Sequence, residues 1–249
     1  MEVCSIILSA GKGSRMFSDI PKPLHLISGK TMLERVIDAN KSANIKKCII
    51  VIPENCEIFK GICHDFETVV QKVPKGTGDA VKKASNLLKK FTGVILVCFG
   101  DTPFLTSETF KRVIKAFDNK TKLVITGFKK FEKNNYGKII FSKTNEPVEI
   151  IEQKDAEVRN IHSEFCNGGV MAIHSSIINQ LDKIQENSIS KEYYLTDLVN
   201  ILNKENKKIS FIEIKEEEII GINNQVDLSV AEKISQNLLR RNAMLKGVK

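Results

Sequence analysis

The sequence predicts an α/β fold: a mostly parallel sheet with helices on both faces, joined to a small antiparallel β lobe and a C-terminal helix. Short apolar runs alternate with longer stretches of helical periodicity across residues 3–128. Glycine-bearing turns directly follow some of those runs, as at Gly11 and Gly100. After residue 130 the texture changes to short apolar runs separated by polar turns. Strand and helix in alternation is the pattern of a parallel sheet covered on both sides. With 249 residues, 42% of them hydrophobic and 27% charged, the chain can bury one large core.

The elements follow in order. Val3–Leu8 (VCSIIL) reads as a short buried strand, and Gly11 and Gly13 then interrupt any regular element. Thr31–Ser42 is helical, with Met32, Val36 and Ala39 on one face. Cys48–Ile52 and Thr68–Gln71 are strands, and Thr77–Leu88 is a helix gathering Ala80, Ala84, Leu87 and Leu88. Val94–Phe99 is the next strand. Ser107–Phe117 is a helix opened by a capping-type hydroxyl residue, and Leu123–Phe128 is a further strand. Beyond them Lys138–Phe141, Val148–Gln153, Gly169–His174 and Ile209–Ile214 are short strands of a second lobe. Residues 225–245 form one closing helix with Val226, Val230, Ile234 and Leu238 spaced by four. The expected division is a main domain over residues 1–224 and a linker-type helix over 225–249.

Charge and cysteine usage narrow the function classes. A net charge of +8 raises nucleic-acid binding, but the lysines are dispersed and aromatics are 6% with no Trp. No basic run interleaved with aromatics offers a stacking platform, so no nucleic-acid partner is expected. Cys4, Cys48, Cys56, Cys63, Cys98 and Cys166 form no C-x-x-C pair and no zinc spacing with His64 or His162. No signal peptide opens the chain, and the longest apolar run, Val94–Phe99, is too short to cross a bilayer. A cytoplasmic protein without a membrane partner is the expectation.

Separate clusters carry the chemistry. In "LSAGKGSRMFSDIPKPL", residues 8–24, glycines open the backbone to a ligand while Arg15 and Lys22 add positive charge. The loop lacks the Gly-Lys-Ser/Thr of a Walker A motif, and Met16 breaks a G-x-G-x-x-G fingerprint. It therefore reads as another kind of phosphate seat, with a plain strand-to-helix turn as the alternative. The second cluster is Gly76-Thr77-Gly78-Asp79-Ala80 with Gln71 before it. Its glycines admit a planar ring and the Gln71 amide can read a base; a simple helix cap at Thr77 is the other reading. The third is Phe99-Gly100-Asp101-Thr102-Pro103, whose aspartate suits magnesium unless it only makes a turn. Asn223, in Gly221-Ile222-Asn223-Asn224, is a weaker candidate for a second oxygen ligand. His25 and Tyr193 read as packing residues and His162 as surface.

Together these clusters resemble the nucleotidyltransferase signature L-x-A-G-x-G-x-R-M followed by Pro-Lys. The ordered series "KGTGDAV", "FGDTPF", "NYGKI", "IIEQKDA", "NGGVMAI", "KEYYLTDLV" and "GINNQVDLS" narrows the match. It is similar to the uridylyltransferase half of the bacterial N-acetylglucosamine-1-phosphate uridylyltransferases, from Val3 to about Leu239. The resemblance implies a Rossmann-like nucleotidyltransferase fold and uridylyl transfer from UTP to N-acetylglucosamine 1-phosphate. The product would feed cell-wall and lipopolysaccharide synthesis. Ala10, Gly11, Gln71, Gly76 and Thr77 would hold the uracil. Gly13, Ser14 and Arg15 would seat the departing phosphates, and Lys22 would lie beside the α-phosphate. Asp101 and Asn223 would hold Mg²⁺. Gly137, Glu152, Asn167, Tyr194 and Thr196 would contact the sugar.

Ser9, Asp79 and Ile220 depart from the family's usual alanine, histidine and glutamate, and the first two sit near the base pocket. No hexapeptide repeats follow the closing helix, so acetyl transfer is expected from a separate protein or a missing domain. Other readings remain: a relative acting on a different base or sugar phosphate, or a non-catalytic nucleotide sensor on the same fold.

Overall fold

The computed structural model describes residues 1–54, 57–132 and 134–248. Its strands are β1 (Val3–Leu8), β2 (Leu26–Ile27), β3 (Lys30–Thr31), β4 (Lys47–Pro53), β5 (Glu67–Gln71), β6 (Val94–Phe99), β7 (Thr121–Lys129), β8 (Lys138–Phe141), β9 (Pro147–Ile151), β10 (Phe165–His174) and β11 (Lys208–Glu213). Its α-helices are α1 (Met32–Ser42), α2 (Glu57–Cys63), α3 (Thr77–Ser85), α4 (Ser107–Lys115), α5 (Gln153–Val158), α6 (Asp197–Lys204) and α7 (Gln225–Leu245).

One mixed sheet runs in the order β11-β7-β10-β6-β1-β4-β5. β6, β1, β4 and β5 are mutually parallel, β10 runs antiparallel between β6 and β7, and β11 lies parallel to β7. The β8–β9 hairpin hangs from β10, and β2–β3 forms a separate antiparallel pair. The late strands β10 and β11 thus join the main sheet, the β8–β9 hairpin branches from it at β10, and only the β2–β3 pair stands apart.

Alternate side chains of the buried strands feed two cores. Cys4, Ile6, Ile49, Val51, Ile95 and Val97 pack with Ala80, Val81 and Ala84 of α3 and Leu198, Val199 and Leu202 of α6. Ile7, Ile50, Leu96 and Cys98 pack on the other face with Leu33, Val36 and Ile37 of α1 and Phe110 and Val113 of α4. This is the period of two of a sheet buried on both faces.

Several boundaries differ from the sequence expectation. The helix expected over 77–88 ends at Ser85 and tightens into a 3₁₀ turn over Asn86–Leu88. Thr31 and Thr106 cap α1 and α4 from outside; Thr31 and Glu34 form a reciprocal capping box. The strand expected over 148–153 stops at Ile151, because Glu152 is the N-cap position of α5. The apolar stripe of α7 does not face the core. Val226, Val230 and Leu238 are exposed, and Ala231 and Ser235 make the buried contact. Ala231 packs with Ile27, Met32 and Ile222, a close approach that small residues permit. Cys56 lies outside the described residues; the other five cysteines are buried and free.

Candidate functional site

Parallel strands place their carboxyl ends on one edge, and there the predicted residues gather. Leu8 at the end of β1 pairs with Phe99 at the end of β6 and with Val51 of β4; Pro53 of β4 pairs with Gln71 at the end of β5. The loops after β1 and β6 are therefore neighbours. Ligand sites of open α/β sheets lie at this edge.

A cleft of about 510 Å³ opens there. Ala10, Gly11, Gly13, Ser14, Arg15, Lys22, Gln71, Gly76, Thr77, Asp101 and Asn223 all line it. Gly13 adopts φ +59°, and a Cβ there would stand 2.7 Å from Lys22 Cβ, so the glycine loop and the Lys22 turn are pressed together. Ser14–Met16 and Lys22–Leu24 are short 3₁₀ turns that present Arg15 and Lys22.

The charged groups converge. Lys22 Nζ pairs with Asp101 Oδ2 and donates to Asn223 Oδ1 at 3.1 Å. Arg15 Nη2 donates to the same Asn223 oxygen at 3.2 Å. Backbone bonds hold this arrangement: Ile222 N–H donates to the Asp101 carbonyl at 3.1 Å, and Gly100 N–H to the Leu8 carbonyl at 3.0 Å. Asn223 N–H donates to Asp227 Oδ2 at 2.8 Å, while Asn224 caps α7 by accepting from Asp227 N–H. Gln225 Nε2 donates to the Met16 carbonyl at 2.9 Å, tying the start of α7 to the glycine loop after β1.

The Gly76–Ala80 cluster differs in detail from a simple cap. Gly76, not Thr77, occupies the N-cap of α3, at φ +99°. Thr77 Oγ1 instead accepts from Leu195 N–H at 2.9 Å. Tyr193 N–H donates to the Lys75 carbonyl and Gly78 N–H to the Tyr193 carbonyl, each at 2.8 Å. The segment 192–196 thus docks its backbone on the start of α3, and Glu192 reaches the cleft wall.

The far end of that segment meets Glu152, near Gly137 and Asn167. Thr196 Oγ1 donates to Glu152 Oε1 at 2.8 Å. Asn167 N–H donates to the Gly137 carbonyl at 2.8 Å, and a Cβ on Gly137 would lie 3.4 Å from Glu152 Oε2. A register shift in β10 between Asn167 and Met171 turns the chain here, and Asn167 Oδ1 accepts from Gly169 N–H at 3.0 Å. Tyr194 and Glu152 line a smaller cavity of about 290 Å³ with Glu149, Asp155 and Asp197. Gly137, Asn167 and Thr196 line neither cavity.

Burial raises the Glu152 carboxyl above the usual carboxylate range, against the Thr196 hydrogen bond. Asp197 is pushed up to about 6 by burial first, then by Glu152, Asp155 and Glu149. Sequence reasoning did not single out Asp197, although it lies inside the KEYYLTDLV stretch. His25 is buried, Tyr193 packs against the core and His162 is exposed.

Among the described residues, no group of three or more His, Cys, Asp or Glu is placed to hold a metal ion. No helix is long and apolar enough to cross a membrane among them.

Comparison with known proteins fits this layout. A model of the MobA-like NTP transferase domain matches residues 5–187. The chain belongs to that family. This NTP transferase domain is 36% identical to the bifunctional protein GlmU of Ruegeria sp. (strain TM1040), over 100% of this chain and 56% of the relative. It is 38% identical to the bifunctional protein GlmU of Clostridium kluyveri, over 98% of this chain and 55% of the relative. The Buchnera aphidicola counterpart is 36% identical over 99% of this chain and 54% of its own length. The chain thus spans about half the length of these relatives. A crystal structure of a UDP-glucose pyrophosphorylase complexed with UDP-glucose superposes with TM-score 0.78 at 16% identity, covering 95% of this chain and 99% of that one. That likeness establishes a shared nucleotidyltransferase fold.

Proposed function

We propose that this NTP transferase domain moves a uridylyl group from UTP to N-acetylglucosamine 1-phosphate and releases pyrophosphate. The observation that carries the reading is the convergence of Arg15, Lys22, Asp101 and Asn223 in one cleft with Gln71 and the Gly76 turn. The similarity to bifunctional GlmU proteins supports the choice of substrates.

The reaction is an in-line displacement at the α-phosphorus. A phosphate oxygen of the sugar phosphate forms the new P–O bond, and the bond to the β-phosphate breaks. The nucleophile is already an anion at neutral pH, so no general base is required. The barrier is electrostatic, because two anions must meet. Arg15 and the loop N–H groups would hold the departing phosphates, and Lys22 would neutralise charge at the α-phosphate. Gln71 and the Gly76–Thr77 turn would hold the uracil. Glu152, Asn167, Tyr194, Thr196 and the Gly137 backbone would orient the sugar.

Mg²⁺ fits the donor set: the Lys22 ammonium already bridges oxygens of Asp101 and Asn223, so a positive charge is favoured between them. A magnesium ion takes one or two protein oxygens and completes its shell with water and phosphates. Bound there it would supply Lewis-acid charge neutralisation for the triphosphate. Pyrophosphate release from UTP plus N-acetylglucosamine 1-phosphate, with and without Mg²⁺, tests the reading. Release that needs both substrates and the ion is expected; no release from this pair in the presence of the ion overturns it.

A further inference from the structure

Gln71 ends β5 against the cleft and is only 4% exposed. Its Nε2 donates to the Gly76 carbonyl at 3.1 Å and to Asp79 Oδ2 at 2.7 Å. A carbonyl and an ionised carboxylate are acceptors only, so the amide nitrogen must face them and the amide oxygen must face away. Both amide hydrogens are then engaged. Among the described residues nothing donates to Oε1, which is left for the cleft. Asp79 is itself fixed, because its other oxygen pairs with Lys83 one helical turn on. The Asp79 side chain is 16% exposed, so water competes little for it.

We propose that the Lys83–Asp79 pair sets base selectivity by holding the Gln71 amide so that the cleft offers the base an acceptor. This rests on the uridylyl-transfer reading. With the triphosphate fixing the base's position, Oε1 would accept from the N3–H of uracil. Cytosine in the same pose presents a lone pair at N3, and two acceptors face each other. A buried polar atom left unpaired is the strong form of discrimination between near-isosteric ligands. Without the carboxylate only the Gly76 carbonyl still holds the amide nitrogen, so turning the amide over to meet cytosine sacrifices one hydrogen bond instead of two. Asp79 is thus a positioning residue that acts through Gln71.

Asp79→Asn tests this in a directed way. The Lys83 ammonium attracts the new amide's oxygen, which turns its NH₂ toward Gln71 and favours turning the Gln71 amide over at the cost of its bond to the Gly76 carbonyl. The ratio of kcat/KM for UTP to that for CTP should fall by at least about tenfold, with KM carrying most of the change. Removing the ammonium as well, in Asp79→Asn/Lys83→Met, lets the asparagine oxygen face Gln71 again, and the ratio should recover. A purely structural role for Asp79 would not be rescued by a second lesion. An unchanged ratio in the single variant, or no recovery in the double, overturns the inference while wild-type turnover of UTP keeps the transfer reading intact. If the wild type turns over neither nucleotide, the transfer reading fails, and the ratio of UTP to CTP dissociation constants in the same variants still decides this one.

Discussion

Lys22 is the most exacting position in the cleft. Its ammonium touches Asp101 and Asn223 at once, and its Cβ lies against the backbone of Gly13. On the proposed reaction Lys22→Ala should lower kcat by roughly a hundredfold, on the order of 3 kcal/mol of transition-state stabilisation. The circular dichroism spectrum should stay that of the folded protein, and near-normal turnover would remove Lys22 from the chemistry. Asp197 makes a prediction of a different kind. Its carboxyl is pushed up to about 6 from an ordinary 3.8, so the folded chain holds this proton more tightly than the unfolded one. Stability therefore falls as pH rises through that window, and the loss persists above it. Asp197→Asn should raise Tm at about pH 7.5, with the gain shrinking toward nothing near pH 4. Melts across that range check it; an equal gain at both ends would sink the assignment.

At the scale of elements, the turn into α3 bears the most constraint. A Cβ on Gly76 would stand 2.5 Å from the Tyr193 carbonyl oxygen, on a backbone at φ +99°. Gly76→Ala should cost about 1–3 kcal/mol. Denaturant titration should show it, and unaltered stability would mean that the 192–196 segment does not dock so closely. Strands β4 and β6 were legible because their apolar runs are unbroken. The bounds of β6 match the expectation, whereas β4 runs past both of its expected ends because pairing with neighbours sets them: it reaches Lys47 and Pro53 alongside β1 and β5. Helix α5 was hidden by its polar letters, with Ala156 its buried residue. The stripe on α7 marked the helix but not its buried face, because periodicity reports apolar spacing, whereas close approach to β2 selected Ala231 and Ser235. The glycine turns and their cations stood out in the letters. The grip of Tyr193 on α3 did not, because backbone atoms make it.

For the whole molecule, the buried thiols report on integrity. Burial pushes Cys4 up to about 12 and Cys48 and Cys63 up to about 11, and raises Cys98 as well. A thiol reacts as its thiolate, so these side chains are inert in the folded state. Alkylation at neutral pH followed by peptide mass mapping should leave these four unmodified until denaturant is added; labelling in buffer would mean that the two cores open readily.

The stretch from Glu192 to Thr196 has one end on the helix that borders the proposed nucleotide cleft and the other on Glu152. A single short span therefore serves as a common girder for both halves of the proposed reaction. Slackening it anywhere would blur the two seats together, and an inhibitor wedged beneath it would unseat both reactants with one contact.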